Sequence, residues 1–195
     1  GKGIFKFLIV IGSLLTVLVI FLVSYVIFDS NIYDELYSKI EVTAHRGNST
    51  VTMPNTIPAF KEAIKEGADY GELDVRQTKD NVIVVTHDAS LKEMTGQDIN
   101  VRDLTYEELQ KIPCIEVNGN KCTVPKLEDV INVCKGKIKL NIEIKTGNND
   151  SEDFVSDVVK IIENTDFVDK CVVTSLDYRA LRKVKECNPK IKTGY

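Results

Sequence analysis

The chain has 195 residues, 43% of them hydrophobic and 28% charged, with 25 Lys and Arg against 29 Asp and Glu, for a formal net charge of −4. Lys2 and Lys6 are the only charged residues before Asp29, so the remainder carries 23 basic against 29 acidic residues, a net of −6. Such a balance argues against a nucleic-acid surface, which needs basic patches, and any phosphate-handling site must bring local positive charge or a metal.

The sequence opens Gly1-Lys2-Gly3 without an initiator Met and stops at Gly194-Tyr195 on a strand-like stretch, as expected of a piece of a longer polypeptide. Residues 7–28 are 22 uncharged, mostly apolar positions. At about 1.5 Å per residue they span a hydrocarbon core of about 30 Å. A secretory signal has an apolar region of only about 7–15 residues followed by a small-residue cleavage site. Here Tyr25-Val26-Ile27-Phe28 is bulky, and a buried core helix would need a more polar face. Residues 1–28 are therefore read as a transmembrane helix with a short cytoplasmic flank. Lys2 and Lys6 before it and Asp29, Asp34 and Glu35 after it place the rest outside by the positive-inside rule.

Residues 29–39 read as a polar connector able to continue the helix. Beyond it, strand and helix patterns alternate from 40 to 195. Strands are expected at 40–45, 68–75, 82–87, 138–145, 171–176 and from 191. Asn55 or Thr56 can cap a helix carrying Ala59, Phe60, Ala63 and Ile64 and ending at Gly67. Further helices are expected at 105–112, 126–134, 152–164 and 177–187. Such alternation gives parallel strands covered by helices, either an open doubly wound sheet or a (β/α)8 barrel. Six strands cannot close an eight-stranded barrel, so a barrel would lack its last quarter to third. Only residues 76–81 join the second and third strands, too few for an ordinary parallel crossover. An extended return leaving the third strand parallel is the favoured path, because a hairpin is expected to carry His87 away from Asp74.

Five cysteines, Cys114, Cys122, Cys134, Cys171 and Cys187, form no Cys-x-x-Cys pair, which disfavours zinc. Cys114 and Cys122 bracket Asn118-Gly119, a hairpin-turn signal, and either pair or remain two thiols near a turn.

Alternation along a strand puts Glu72 and Asp74 on one face, and likewise Asn141, Glu143 and Lys145. Leu140, Ile142 and Ile144 must meet helices, so the polar face points into the sheet's interior or a cleft. Three carboxylates there need compensation, by a hard divalent cation or by salt bridges with Lys145 and Arg46. The cation is favoured, since two bases do not satisfy three acids. His45 and His87 each close an apolar strand at the end where such folds place chemistry, which suggests a general acid and a general base. Arg46 suits phosphate oxygens, and Asp88 is a weaker candidate that can simply cap a turn. The residues together point to metal-assisted phosphate-ester chemistry.

These positions resemble the glycerophosphodiester phosphodiesterase family. The matching stretches are His45-Arg46-Gly47, Asn55-Thr56 with Ala59-Phe60, Gly67-Ala68-Asp69, Glu72-Leu73-Asp74-Val75, Thr78-Lys79-Asp80, His87-Asp88 with Leu91 and Thr95, Pro125 with Leu127-Glu128, and Asn141-Ile142-Glu143-Ile144-Lys145. The resemblance covers about residues 40–195, and the leading span is similar to that of membrane-bound bacterial members. It implies a (β/α)8 TIM-type barrel at 40–195, truncated at its C-terminal side. It also implies hydrolysis of glycerophosphodiesters to glycerol 3-phosphate and an alcohol with Ca2+ or Mg2+. Glu72, Asp74 and Glu143 would hold the metal, His45 and His87 would be the acid/base pair, and Arg46 and Lys145 would bind the phosphoryl group. His45 is favoured as base and His87 as acid, although the residues leave the roles interchangeable. Partners would be a small-molecule glycerophosphodiester and, through the N-terminal helix, a membrane. The family's Pro-Glu-Asn-Thr is replaced by Met53-Pro54-Asn55-Thr56, so its glutamate is absent. Two other readings keep the fold: a lyase-like enzyme giving a cyclic phosphate, and a degenerate ligand-binding barrel.

Overall fold

A computed structural model describes residues 1–37 and 40–195, which fall into two units, 1–41 and 42–195. The first is dominated by helix α1 (Lys2–Tyr37), so the helix runs well into the expected connector, whose Ser38 and Lys39 lie outside the described residues. Its Lys2–Ser30 portion is long and apolar enough to cross a membrane, and none of its most apolar window is buried within the chain. Leu14, Val17, Phe21 and Val26 are each more than 60% exposed, which excludes a core helix of this unit.

The second unit begins with β1 (Thr43–Ala44), α2 (Ile57–Lys65), β2 (Tyr70–Gln77) and β3 (Ile83–Val85). Two short helices, α3 (Lys92–Thr95) and α4 (Tyr106–Leu109), lie in the connection to α5 (Leu127–Cys134). There follow β4 (Lys139–Ile144), α6 (Phe154–Asn164), β5 (Cys171–Thr174), α7 (Tyr178–Cys187) and β6 (Lys192–Gly194). The parallel strands are hydrogen-bonded in the order β1-β2-β4-β5-β6. Each parallel strand thus sits beside the next one in the chain, and the winding never reverses. A doubly wound sheet reverses at a switch point, whereas a barrel does not. The architecture is TIM-barrel-like.

Alternation explains which face packs. Leu73 and Val75 of β2, Leu140, Ile142 and Ile144 of β4 and Val173 of β5 are at most 1% exposed. They form one core with Phe60 of α2, Val130 and Ile131 of α5, Val158 and Ile162 of α6 and Val184 of α7. Each such side chain contributes about 1.5–3 kcal/mol by leaving water. Helix burial at spacings of three and four residues, as in Phe154, Val158, Val159 and Ile162, is what the sequence periodicity predicts. Gly71 lets α2 approach the sheet: a Cβ there would stand 3.1 Å from the Phe60 ring and 3.2 Å from Leu140.

One expectation is overturned. β3 is not parallel to β2; the two form an antiparallel hairpin with Val75 opposite Val85 and Gln77 opposite Ile83. The hairpin does not carry His87 away, because β2 overshoots Asp74 by three residues before turning. The return then brings Thr86 level with Asp74, where its N–H donates to the Asp74 carbonyl at 3.0 Å. β1 is also shorter than expected, and β3 occupies the length of β2's edge that β1 leaves unpaired. Residues 86–125 pack a second, smaller core of Leu91, Met94, Val101, Leu109, Cys114 and Val124 against Val84 of β3 and Met53 of the loop after β1.

Candidate active site

The C-terminal ends of β1, β2 and β4 bring His45, Arg46, Glu72, Asp74, Glu143 and Lys145 together. β1 stops at Ala44, and Arg46 and Gly47 then take left-handed backbone angles, φ +56 and +75. This reversal turns the chain sharply after His45 and points the Arg46 N–H at Glu72 Oε2, 2.9 Å away. An arginine in this conformation costs about 1–2 kcal/mol, strain of the kind that concentrates at working sites. Gly47 is required twice over: besides its φ, a Cβ would lie 2.7 Å from Ala59 Cβ and 2.8 Å from the Ala59 carbonyl carbon on α2. We expect Gly47→Ala to destabilise the unit by about 3 kcal/mol. A lowered urea midpoint at unchanged slope would be the sign of it; an unchanged midpoint would contradict the packing.

Glu72, Asp74 and Glu143 each place a carboxylate oxygen within 4.8 Å of the others. Around them, Lys145 Nζ lies 2.6 Å from Glu143 Oε1 and 3.3 Å from Asp74 Oδ1, and Arg46 Nε lies 3.5 Å from Asp74 Oδ2. The salt-bridge arrangement considered from the sequence is therefore present, yet it is incomplete. Among the described residues no Lys or Arg side chain lies within 4.0 Å of the Glu72 carboxylate, and His45 Nε2 is 3.7 Å from it. Burial first, then the Asp74 charge, pushes the Glu72 carboxyl up to about 7, against the opposing Arg46 N–H. Lys145 is pulled down by burial but held above its usual value overall by Glu143 and Asp74. Arg46 Nε is buried without a hydrogen-bond partner.

The donor set fits a hard cation: oxygens about 2.3–2.6 Å from Ca2+ stand at most about 5 Å apart across it. In metal-free protein the Glu72 shift carries a definite sign. Its folded pKa is above the unfolded one, so the folded state binds more protons between about 4.5 and 7. Stability from this group falls as pH rises through that window and levels off above it. Chemical denaturation with and without Ca2+ should show the fall in chelator and its reduction with the cation present; an equal slope in both would contradict it.

His87 follows β3, and its Nδ1 lies 2.8 Å from Asp88 Oδ1, which leaves Nε2 as the nitrogen available to a ligand. Asp88, the weaker candidate among the acids, thus contacts the histidine. Arg46, Pro54, His87 and Glu93 line one narrow cleft, with Glu93 Oε2 4.0 Å from Arg46 Nη1. His45 is largely exposed, and His87 is one-third exposed.

Two contributors were not read as such from the sequence. Asn55, at φ +60 and 2% exposed, donates from Nδ2 to Asp74 Oδ2 at 2.9 Å. Its own N–H donates to the Arg46 carbonyl at 2.9 Å, so it ties the turn to the acid. It does not cap α2; Thr56 holds the N-cap position, but its hydroxyl donates to the Met53 carbonyl at 2.6 Å. Arg76 donates from Nε to the His87 carbonyl at 2.7 Å, linking the strand of Glu72 and Asp74 to the histidine loop. The two-residue alternation that selected Glu72 and Asp74 could have found it.

With this geometry in view, comparison with known proteins is specific. The model of the glycerophosphoryl diester phosphodiesterase family matches residues 45–194. A glycerophosphodiester phosphodiesterase of Caldanaerobacter subterraneus subsp. tengcongensis is 36% identical over 160 residues, 80% of this chain and 66% of that protein. Lysophospholipase D GDPD1 of Mus musculus is 35% identical over 153 residues, 69% of this chain and 48% of that protein. Among solved structures, an Oleispira antarctica phosphodiesterase in complex with the product sn-glycerol-3-phosphate superposes with a TM-score of 0.73 at 27% identity, covering 80% of this chain and 65% of that one. The chain thus spans between about half and two thirds of the length of these relatives. On the extent of the family match and the identity to its members, the chain belongs to the glycerophosphoryl diester phosphodiesterase family.

Proposed function

We propose that this chain carries the metal and acid/base site of a phosphodiesterase that hydrolyses glycerophosphodiesters to glycerol 3-phosphate and an alcohol. The observation that supports it most is the Glu72–Asp74–Glu143 cluster with its under-compensated Glu72, with His45 3.7 Å from Glu72 and His87 lining a cleft with Arg46. Glu72, Asp74 and Glu143 are its cation ligands, an all-carboxylate set suited to Ca2+ or Mg2+. When bound, the cation supplies polarisation of the phosphoryl oxygens and offsets the acid cluster. Arg46, whose Nε makes no hydrogen bond, and the Lys145 ammonium bind the phosphoryl group, the guanidinium supplying directed donors. His45 takes the proton of the attacking water. His87, oriented by Asp88 and Arg76, returns a proton to the departing alkoxide.

The departure at Met53-Pro54 does not remove any of these groups. Met53 joins the second core, and Glu93 supplies an acid beside Arg46 from the other wall of the cleft. This favours catalysis over a degenerate ligand-binding domain. α1 anchors the protein in the manner of membrane-bound bacterial members, with the catalytic unit outside, as the flanking charges favour. The test is choline release from glycerophosphocholine by the full-length protein. We expect turnover with Ca2+ or Mg2+ and none in chelator. Absence of cation-dependent turnover would overturn the proposal, and a cyclic phosphate product would favour the lyase-like reading.

A further inference from the structure

We propose that Cys114 and Cys122 form a disulfide that staples a hairpin of the 86–125 segment against the loop following β1. The inference rests on local geometry and is independent of the phosphodiesterase reading. Asn118 and Gly119 both have left-handed backbone angles, φ +50 and +78, the pattern of a type I′ turn, and Val117 pairs with Asn120 across it. Further down the hairpin the Cys114 N–H donates to the Cys122 carbonyl at 2.9 Å, one residue out of the Val117–Asn120 register, so the two backbones run side by side there. A direct bond from the amide of one residue to the carbonyl of the other brings their Cα atoms to about 5–6.5 Å, within the window of about 4.4–6.8 Å that a disulfide needs. Cys114 lies in the second core and Cys122 packs against the same core, so both side chains leave the hairpin on one face.

The remaining cysteines do not compete. Cys134 and Cys171 are buried in the helix-side core, and Cys187 is exposed on α7. Cys114 is buried whereas Cys122 is half-buried, so an oxidant reaches Cys122 first. The oxidant is a disulfide, either a small molecule or a thiol–disulfide oxidoreductase. The Cys122 thiolate attacks one of its sulfurs, forming a mixed disulfide and releasing one thiol. Cys114 then loses its proton and attacks Cys122 Sγ, releasing the second thiol. Two protein thiols are oxidised as one oxidant disulfide is reduced.

The hairpin is not an isolated flap. Asn118 Nδ2 donates to the Val51 carbonyl at 3.0 Å, and the Ile115 N–H donates to the Met94 carbonyl at 2.7 Å. The cross-link therefore braces the stretch that continues through Met53, in the second core, to Asn55 on Asp74.

The test incubates reduced full-length protein with oxidised glutathione, then combines thiol counting under denaturing conditions with peptide mapping. We expect two of the chain's five thiols to be lost, a linked Cys114–Cys122 peptide, and restoration by reductant. In the Cys114→Ser/Cys122→Ser variant no internal cross-link should form, while folding is checked by circular dichroism. Limited proteolysis within 48–56 should be slower in the oxidised protein. Retention of both thiols, or pairing of either through Cys187, would overturn the disulfide, and unchanged proteolysis would overturn the stapling role.

Discussion

Replacing Asp74 with asparagine in the full-length protein is expected to weaken Ca2+ binding by more than about 100-fold, since loss of a mere supporting contact already costs about 10–100-fold at metal sites. Asp74 is 1% exposed and stands at the centre of the polar network. It meets Lys145 at 3.3 Å, Arg46 at 3.5 Å and the Asn55 amide at 2.9 Å. An asparagine removes the charge facing both cations and offers one oxygen instead of two. The chain can still fold, because Asn55 and the backbone pairing of β2 remain. Calorimetric titration of Ca2+ checks this directly, with urea denaturation as the folding control. An unchanged affinity would remove Asp74 from the ligand set and return the cluster to a purely structural salt-bridge network.

His87→Ala is expected to lower kcat on glycerophosphocholine by about 1000-fold, within the range of about 10²–10⁴ typical of a positioned acid or base. The informative comparison is a substrate whose leaving group needs no proton. With a p-nitrophenyl ester of glycerol 3-phosphate the same substitution should cost less than about tenfold. His45→Ala should slow both substrates alike, because water must lose its proton in either case. Equal losses for both esters in His87→Ala would reverse the assignment of the two histidines. Arg76→Gln should reproduce a partial form of the His87 effect, since its Nε holds the His87 carbonyl.

Much of the fold was legible because burial follows periodicity. The apolar alternation of Leu140, Ile142 and Ile144 and the helical spacing of Phe154, Val158 and Ile162 locate strand and helix faces without any tertiary information. The same alternation selects Glu72, Asp74 and Glu143. What it does not supply is how far a strand runs past its last informative residue. The three-residue overshoot of β2 beyond Asp74 decides where a hairpin returns, and nothing in residues 76–81 declares it. Asn55 was hidden for a different reason. Its side chain reaches Asp74 only because residue 55 adopts a left-handed angle, a property of the folded loop that asparagine permits but does not announce. The incomplete pairing of Glu72 likewise emerges from three-dimensional distances, since the sequence counts bases and acids but not their reach.

The most direct measurement is 31P NMR of glycerophosphocholine incubated with the full-length protein and Ca2+ in 18O-enriched water. The expected result is a glycerol 3-phosphate signal bearing the isotope shift of one solvent oxygen, absent in chelator and in His45→Ala. A diester signal that persists unchanged, or an accumulating cyclic phosphate, would contradict water attack at this site.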